Sequence, residues 1–202
     1  MERQNFTTRQ GDTFRKVIRW EQPPYVYAAI TAILQKAPVR VTAPAHGLTT
    51  GWRTAVVSVQ GMDEINARHI PPWDTEMYPV LVVDEDDVDI NAVNAAEFSP
   101  YASGGYLQFW TPVDLTGFTA RMQIRDPGTF ALLWEMTSED GGIAIDNTAK
   151  TISLYIAASD MQTFDWTSAI YDLEMISPAS IHETIFTGNF NLTEDIELPE
   201  TP

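Results

Sequence analysis

The chain has 202 residues and a mass of 22.6 kDa, with 28 acidic against 12 basic side chains and a formal net charge of -16. A surface that negative repels phosphate backbones and anionic headgroups, so neither a nucleic-acid nor a membrane partner is expected. The absence of cysteine removes disulfides, thiol nucleophiles and thiolate metal sites together, and no cofactor is expected.

At the N-terminus Met1-Glu2-Arg3-Gln4 opens polar, without a signal-peptide core, and no apolar run reaches the length of a membrane span. This predicts synthesis and folding in a cytoplasm. Phe6 leads to a turn at Gln10-Gly11-Asp12 and then a strand over 13–20, in which Val17 falls out of phase with Phe14, Ile18 and Trp20. From about Tyr27 to Tyr106 the pattern changes. Segments 30–34 and 39–42 read as a hairpin around Lys36-Ala37-Pro38, and a loop with two glycines covers 44–51. Strands follow over 54–59 and 80–83, the latter ending in the acidic run Asp84-Glu85-Asp86-Asp87, and Ser103-Gly104-Gly105-Tyr106 closes the region.

The final hundred residues alternate most cleanly. Phe118, Ala120, Met122 and Ile124 interleave with Thr119, Arg121, Gln123 and Arg125, giving one apolar and one solvated face. Asp126-Pro127-Gly128-Thr129 is turn chemistry, and strands are predicted over 131–136, 143–145, 152–156 and 170–176, with a last pair running from 181 to 192. One short helix is predicted over 157–164, with Ser159 as its cap. The tail 198–202 reads as frayed. Strands at this spacing predict an all-β protein, an immunoglobulin-like antiparallel β-sandwich of roughly seven strands.

Two sets of motifs resemble known families. Val39-Arg40-Val41-Thr42, Ala45-His46-Gly47-Leu48, Gly61-Met62, Ile65-Asn66-Ala67 and Tyr101-Ala102-Ser103-Gly104-Gly105 resemble a small β-module common in phage tail and baseplate proteins. That module is often likened to a half-domain of ubiquitin-activating enzymes. The chain departs from it at Ala67, where a glycine is usual, and at the insertion Pro71-Pro72-Trp73-Asp74. Gly11-Asp12-Thr13-Phe14, Asp114-Leu115-Thr116-Gly117, Tyr171-Asp172-Leu173-Glu174 and Gly188-Asn189-Phe190-Asn191-Leu192 resemble the N-terminal sandwich domain of baseplate and receptor-binding-protein adaptors. In that family the first two motifs follow closely, whereas here the small module separates them. The resemblance implies a discontinuous sandwich, residues 1–27 and 107–202, with residues 28–106 inserted as a second small β-domain. Loop-closure cost rises slowly with length, so such an insertion is physically cheap.

Little in the chain suggests chemistry. His46, His69 and His182 show no ligand spacing, so structural or exposed roles are expected and no metal site is predicted. The run 84–87 with Asp89 offers oxygen ligands but lacks the glycine-punctuated spacing of a calcium loop. Close carboxylates are inevitable among so many, no tandem repeat typical of a depolymerising spike is present, and no Gly-x-Ser-x-Gly elbow occurs. No enzymatic activity is expected.

The aromatic residues point elsewhere. Trp134, Trp166 and Tyr171 lie in strand-like runs and are expected in the core. Trp52, Trp73 and Trp110 lie in or beside loops, where local packing and exposed interface anchors both fit. The segment 70–78, with Pro71, Pro72, Trp73 and Tyr78, is the best candidate contact loop. The resemblance implies a virion structural protein of a bacteriophage tail, baseplate or collar, made in the bacterial cytoplasm. It would contact other tail, baseplate or fibre proteins and form a homo-oligomer or symmetric copies. A receptor- or glycan-binding module of the tail is the alternative, and a capsid decoration protein a third.

Overall fold

A computed structural model of the protein describes residues 2–194, and the predicted frayed tail at 198–202 lies outside them. The fold is all-β. It divides into two compact units, one made of the residues up to Trp20 with those from Asp114 onward, the other of Glu21–Val113.

The first unit begins with β1 (Glu2–Arg3), β2 (Phe6–Arg9) and β3 (Phe14–Ile18). The second contains β4 (Glu21–Ala29), β5 (Ala32–Leu34), β6 (Val39–Thr42), β7 (Arg53–Gln60), β8 (Tyr78–Pro79), β9 (Leu81–Val82), β10 (Asp87–Ile90) and β11 (Ser103–Pro112). The chain then returns to the first unit through β12 (Thr119–Arg125), β13 (Leu132–Thr137), β14 (Ile143–Asp146), β15 (Thr151–Ile156), helix α1 (Ala158–Met161), β16 (Ser168–Ile176) and β17 (His182–Thr193).

In the first unit β17, β16, β12 and β13 form an antiparallel sheet, and β1 and β2 both join the free edge of β17 in parallel. A second sheet runs β14-β15-β3. Strand β12 shows the predicted alternation, with Ala120, Met122 and Ile124 buried while Arg121, Gln123 and Arg125 face outward. Strand β3 resolves the phase of Val17. Phe14 and Ile18 point inward, Val17 is exposed, and Lys16 takes the intervening inward position with its ammonium 5.9 Å from the Phe6 ring centroid.

Aromatic rings join the two sheets. Phe14 of β3 lies 5.0 Å from Phe190 of β17 and 5.3 Å from Phe6 of β2, and Phe6 stacks on Tyr171 of β16 at 4.8 Å. The chain of rings continues from Phe190 through Trp166 and Phe164 to Trp134. The N-terminal segment is thus part of the same interior as the final hundred residues. Trp134 and Trp166 are half-buried at its margin, while Tyr171 is fully enclosed and donates its hydroxyl to the Gln4 carbonyl at 2.7 Å.

The second unit packs sheet β5-β6-β10-β9 against sheet β4-β11-β7-β8. Val39, Val41, Val88 and Ile90 from the first meet Val56, Leu107 and Phe109 from the second, with Trp52 and Met62 filling the interior. The motifs behind the first resemblance shape backbone here. Asn66 donates to the Val59 carbonyl and accepts from its N–H, so its amide replaces a missing strand neighbour. Gly105 has φ +92, and a Cβ there would collide with Val59. Asn66→Ala is expected to destabilise the protein by about 2 kcal/mol, because the enclosed Val59 groups lose both bonds; the denaturant midpoint checks this.

Several expectations need correction. The boundaries shift from 27 and 107 to 20 and 114, because β4 pairs with β11 from Ala29↔Tyr106 to Glu21↔Pro112 and both strands belong to the middle unit. That pairing also sets the two crossings side by side, as an inserted unit requires. Ser103-Gly104-Gly105-Tyr106 does not close the middle region but opens a ten-residue strand within it. The helix is shorter than predicted, and Ser159 lies within it while Ala157 precedes it without a side-chain cap. The last predicted strand pair is one bent strand, β17.

Candidate interaction surface

Two of the six predicted contact residues are not at the surface. Trp52 is 1% exposed in the core of the middle unit, and its Nε1 has no hydrogen-bond partner among the described residues. Pro72 is also buried. The Thr and Gly around Trp52 suggested a loop, but Trp52 N–H bonds Thr49 O and its carbonyl accepts from Val80, which draws the ring inward.

The other four stay accessible in part. Pro71 is exposed, Tyr78 and Trp110 are half-buried, and Trp73 is 60% exposed. Trp73 stacks on His69 at 3.4 Å with an interplanar angle of 12°. Glu76 holds this loop together. It accepts from the Trp73 N–H at 3.0 Å and the Arg68 N–H at 2.8 Å, and lies 3.0 Å from His69 Nδ1. Those bonds, Trp73 first, hold its carboxyl at about 2, below the ordinary 4.5. A carboxyl lowered on folding contributes stability above its unfolded pKa and loses it as pH falls through the folded value. The amide resonances of Arg68 and Trp73 are therefore expected to shift together in a step centred at about pH 2, and Glu76→Gln should abolish that step. A cavity of about 500 Å³ opens beside the loop, lined by His69, Trp73, Thr75, Glu76, Tyr78 and Asn94, among others.

Trp110 belongs to a larger aromatic surface on the face of β4 and β11 turned away from the core. It stacks on Tyr25 at 3.7 Å; Tyr25 meets Tyr27 at 6.4 Å, and Tyr27 meets Tyr106 at 6.0 Å. Trp110 and Tyr25 are directly opposed across the ladder, in a non-hydrogen-bonded pair that brings side chains closest. Tyr27 is 54% and Tyr106 43% exposed. Burial raises the Tyr25 hydroxyl above its ordinary value, with Tyr27, Asp74 and Glu21 adding to the effect. No charged residue occurs between Glu21 and Lys36 or between Glu97 and Asp114, so Glu21, paired with Arg53, is the single charged residue of the two strands. No protein-family model matches the chain, and no curated protein shows significant similarity to it.

The sequence missed Tyr25, Tyr27 and Tyr106 as surface residues. Pro23-Pro24 hid β4 as a strand, although the Tyr-Val-Tyr alternation after it was the available signal.

Several titratable residues have local partners. His46 accepts the Leu48 N–H on Nδ1 at 2.9 Å, while its buried Nε2 has no hydrogen-bond partner among the described residues. His182 lies 3.2 Å from Glu174, which also pairs with Arg121. Asp84 accepts the N–H groups of Asp86 and Asp87, which lowers its pKa, and Asp86 accepts from Ala45. Asp89, grouped with the acidic run 84–87 in the sequence, is buried and gripped by Arg40 at 2.8 and 2.9 Å, which lowers its pKa. Among the described residues no group of three His, Asp or Glu side chains could hold a metal ion.

Proposed function

We propose that this chain is a non-enzymatic structural component of a bacteriophage particle, an adaptor in the tail, baseplate or collar that positions neighbouring tail or fibre proteins. The observation that carries this reading is the aromatic face of β4 and β11, where Tyr25, Tyr27, Tyr106 and Trp110 meet and Glu21 is the single charged residue of either strand. Exposed Tyr and Trp with little charge mark a protein-contact surface, and the rest of the acidic chain keeps the free protein soluble. The motif resemblance supplies the viral setting. The roles of Asn66 and Gly105 support it, since residues that identify the module hold its backbone and leave function to surfaces. On this reading the protein is made in the bacterial cytoplasm and resides in the virion.

Particle reconstruction tests this. The expected result is density for both β units in symmetric copies at the tail, baseplate or collar. Absence from purified particles would remove the reading, and density on the head would replace it with capsid decoration. A second reading, glycan binding, draws on exposed Trp73 beside the 500 Å³ cavity. Glycan-array binding lost in Trp73→Ala would favour it.

A further inference from the structure

Strand β4 is the edge of its four-stranded sheet. The Ile30 N–H bonds the Gly105 carbonyl, and the register Ala28↔Leu107, Val26↔Phe109 continues that alternation. Val26 and Ala28 therefore turn their backbone groups toward β11. Tyr25, Tyr27 and Ala29 turn theirs the other way, and those groups have no hydrogen-bond partner among the described residues. Native proteins blunt such edges with charge, bulges or proline. Here such devices sit at one end of the strand, where Glu21 pairs with Arg53 and a bulge opposite Trp110 and Thr111 takes up Pro23-Pro24. At the other end the Thr31 N–H bonds Thr42 O, so the backbone leaves the edge. What is left is a short open segment centred on Tyr27.

We propose that this edge is a homotypic interface, in which β4 of one copy pairs antiparallel with β4 of a second copy. A two-fold axis at Tyr27 makes Tyr27 face its counterpart and Tyr25 face Ala29, each pair exchanging N–H and C=O bonds. This is the register in which all three outward residues of each copy are paired. The two sheets become continuous, and the Tyr25, Tyr27, Tyr106 and Trp110 faces align into one aromatic surface. Self-complementarity selects the occupant: a second copy brings an open edge of the same length with the same three outward residues, so one pairing satisfies both edges, and the nearest strand charge, Glu21, is already paired with Arg53. The inference rests on reading this face as a contact surface, and is independent of the viral setting.

Sedimentation and amide exchange on the full chain test it. The expected result is a concentration-dependent dimer in which the Tyr25, Tyr27 and Ala29 amides slow on association, while Val26 and Ala28 are protected at every concentration. Tyr27→Lys places like charges at the axis and should weaken the dimer at least about tenfold. Ala29→Pro removes one outward donor without touching the β11 ladder and should also weaken it; unchanged near-UV circular dichroism shows that each variant folds. A monomer at all concentrations overturns the proposal, even if the protein is found in virions. So does a dimer indifferent to both substitutions, or one that leaves the three amides fast.

Discussion

Phe14→Ala is expected to destabilise the protein by about 3–5 kcal/mol, the usual cost of removing a buried ring. Phe14 is 6% exposed and touches both Phe6 and Phe190, so it joins the three-stranded sheet to the larger one. Truncation removes ring contacts on two sides and leaves a cavity bounded by rigid strands, which cannot collapse easily. A denaturant titration followed by near-UV circular dichroism checks this, since Phe190, Trp166 and Tyr171 belong to the same ring system. Val17→Ala, three residues away on the exposed face of β3, should cost less than about 0.5 kcal/mol.

Gly188→Ala is expected to be comparably damaging, at about 3 kcal/mol or more, through backbone contact. Gly188 lies on β17 opposite the break between β1 and β2, where Gln4 passes close to the strand. A Cβ at position 188 would overlap the Gln4 carbonyl oxygen and approach its carbon to 2.7 Å. To relieve that overlap the N-terminal segment must leave the edge. It would lose the Gln4 N–H bond to Thr187 O, the Tyr171 hydroxyl bond to Gln4 O and the Asn5 side-chain bond to the Asn189 N–H. Hydrogen exchange should show Gln4 losing protection first. Gly141→Ala makes a useful contrast: it has φ +83 but open space around it, so only its backbone preference is at stake.

Most of the sandwich was legible because its signal is local. Alternation on β12 and β16 and turn chemistry at Asp126-Pro127-Gly128 are properties of neighbouring residues. The discontinuity came from motif order, which placed Phe14 with the final hundred residues. The parallel joining of β1 and β2 to β17 was not legible, since the contacts that set it, among them those of Gln4 with Thr187, Tyr171 and Gly188, join residues far apart in sequence. The boundaries moved because β4 was not read as a strand: proline marks a break locally, yet an edge strand tolerates it where no ladder donor is needed.

The contact residues divided along a similar line. Trp73 was legible, since a Pro-Pro corner and flanking polar residues kept it outward. Trp52 has equally polar neighbours, but the Val80 and Thr49 bonds that bury it depend on the fold. Trp110 was found without its partners, because Tyr25 meets it across a strand pair that local sequence does not specify. The large aromatic face is therefore a property of β4–β11 register, and the proposed function depends on that register more than on any one side chain.

All of this presupposes that the opening twenty residues share an interior with the closing stretch of the chain while the middle folds as its own unit. Nuclear Overhauser contacts among selectively labelled aromatic rings test that claim directly. Cross-peaks are expected between Phe14 and Phe190 and between Phe6 and Tyr171, whose ring centroids lie 5.0 and 4.8 Å apart. Were Phe14 instead to show contacts solely with residues of Glu21–Val113, the two-unit architecture would be contradicted.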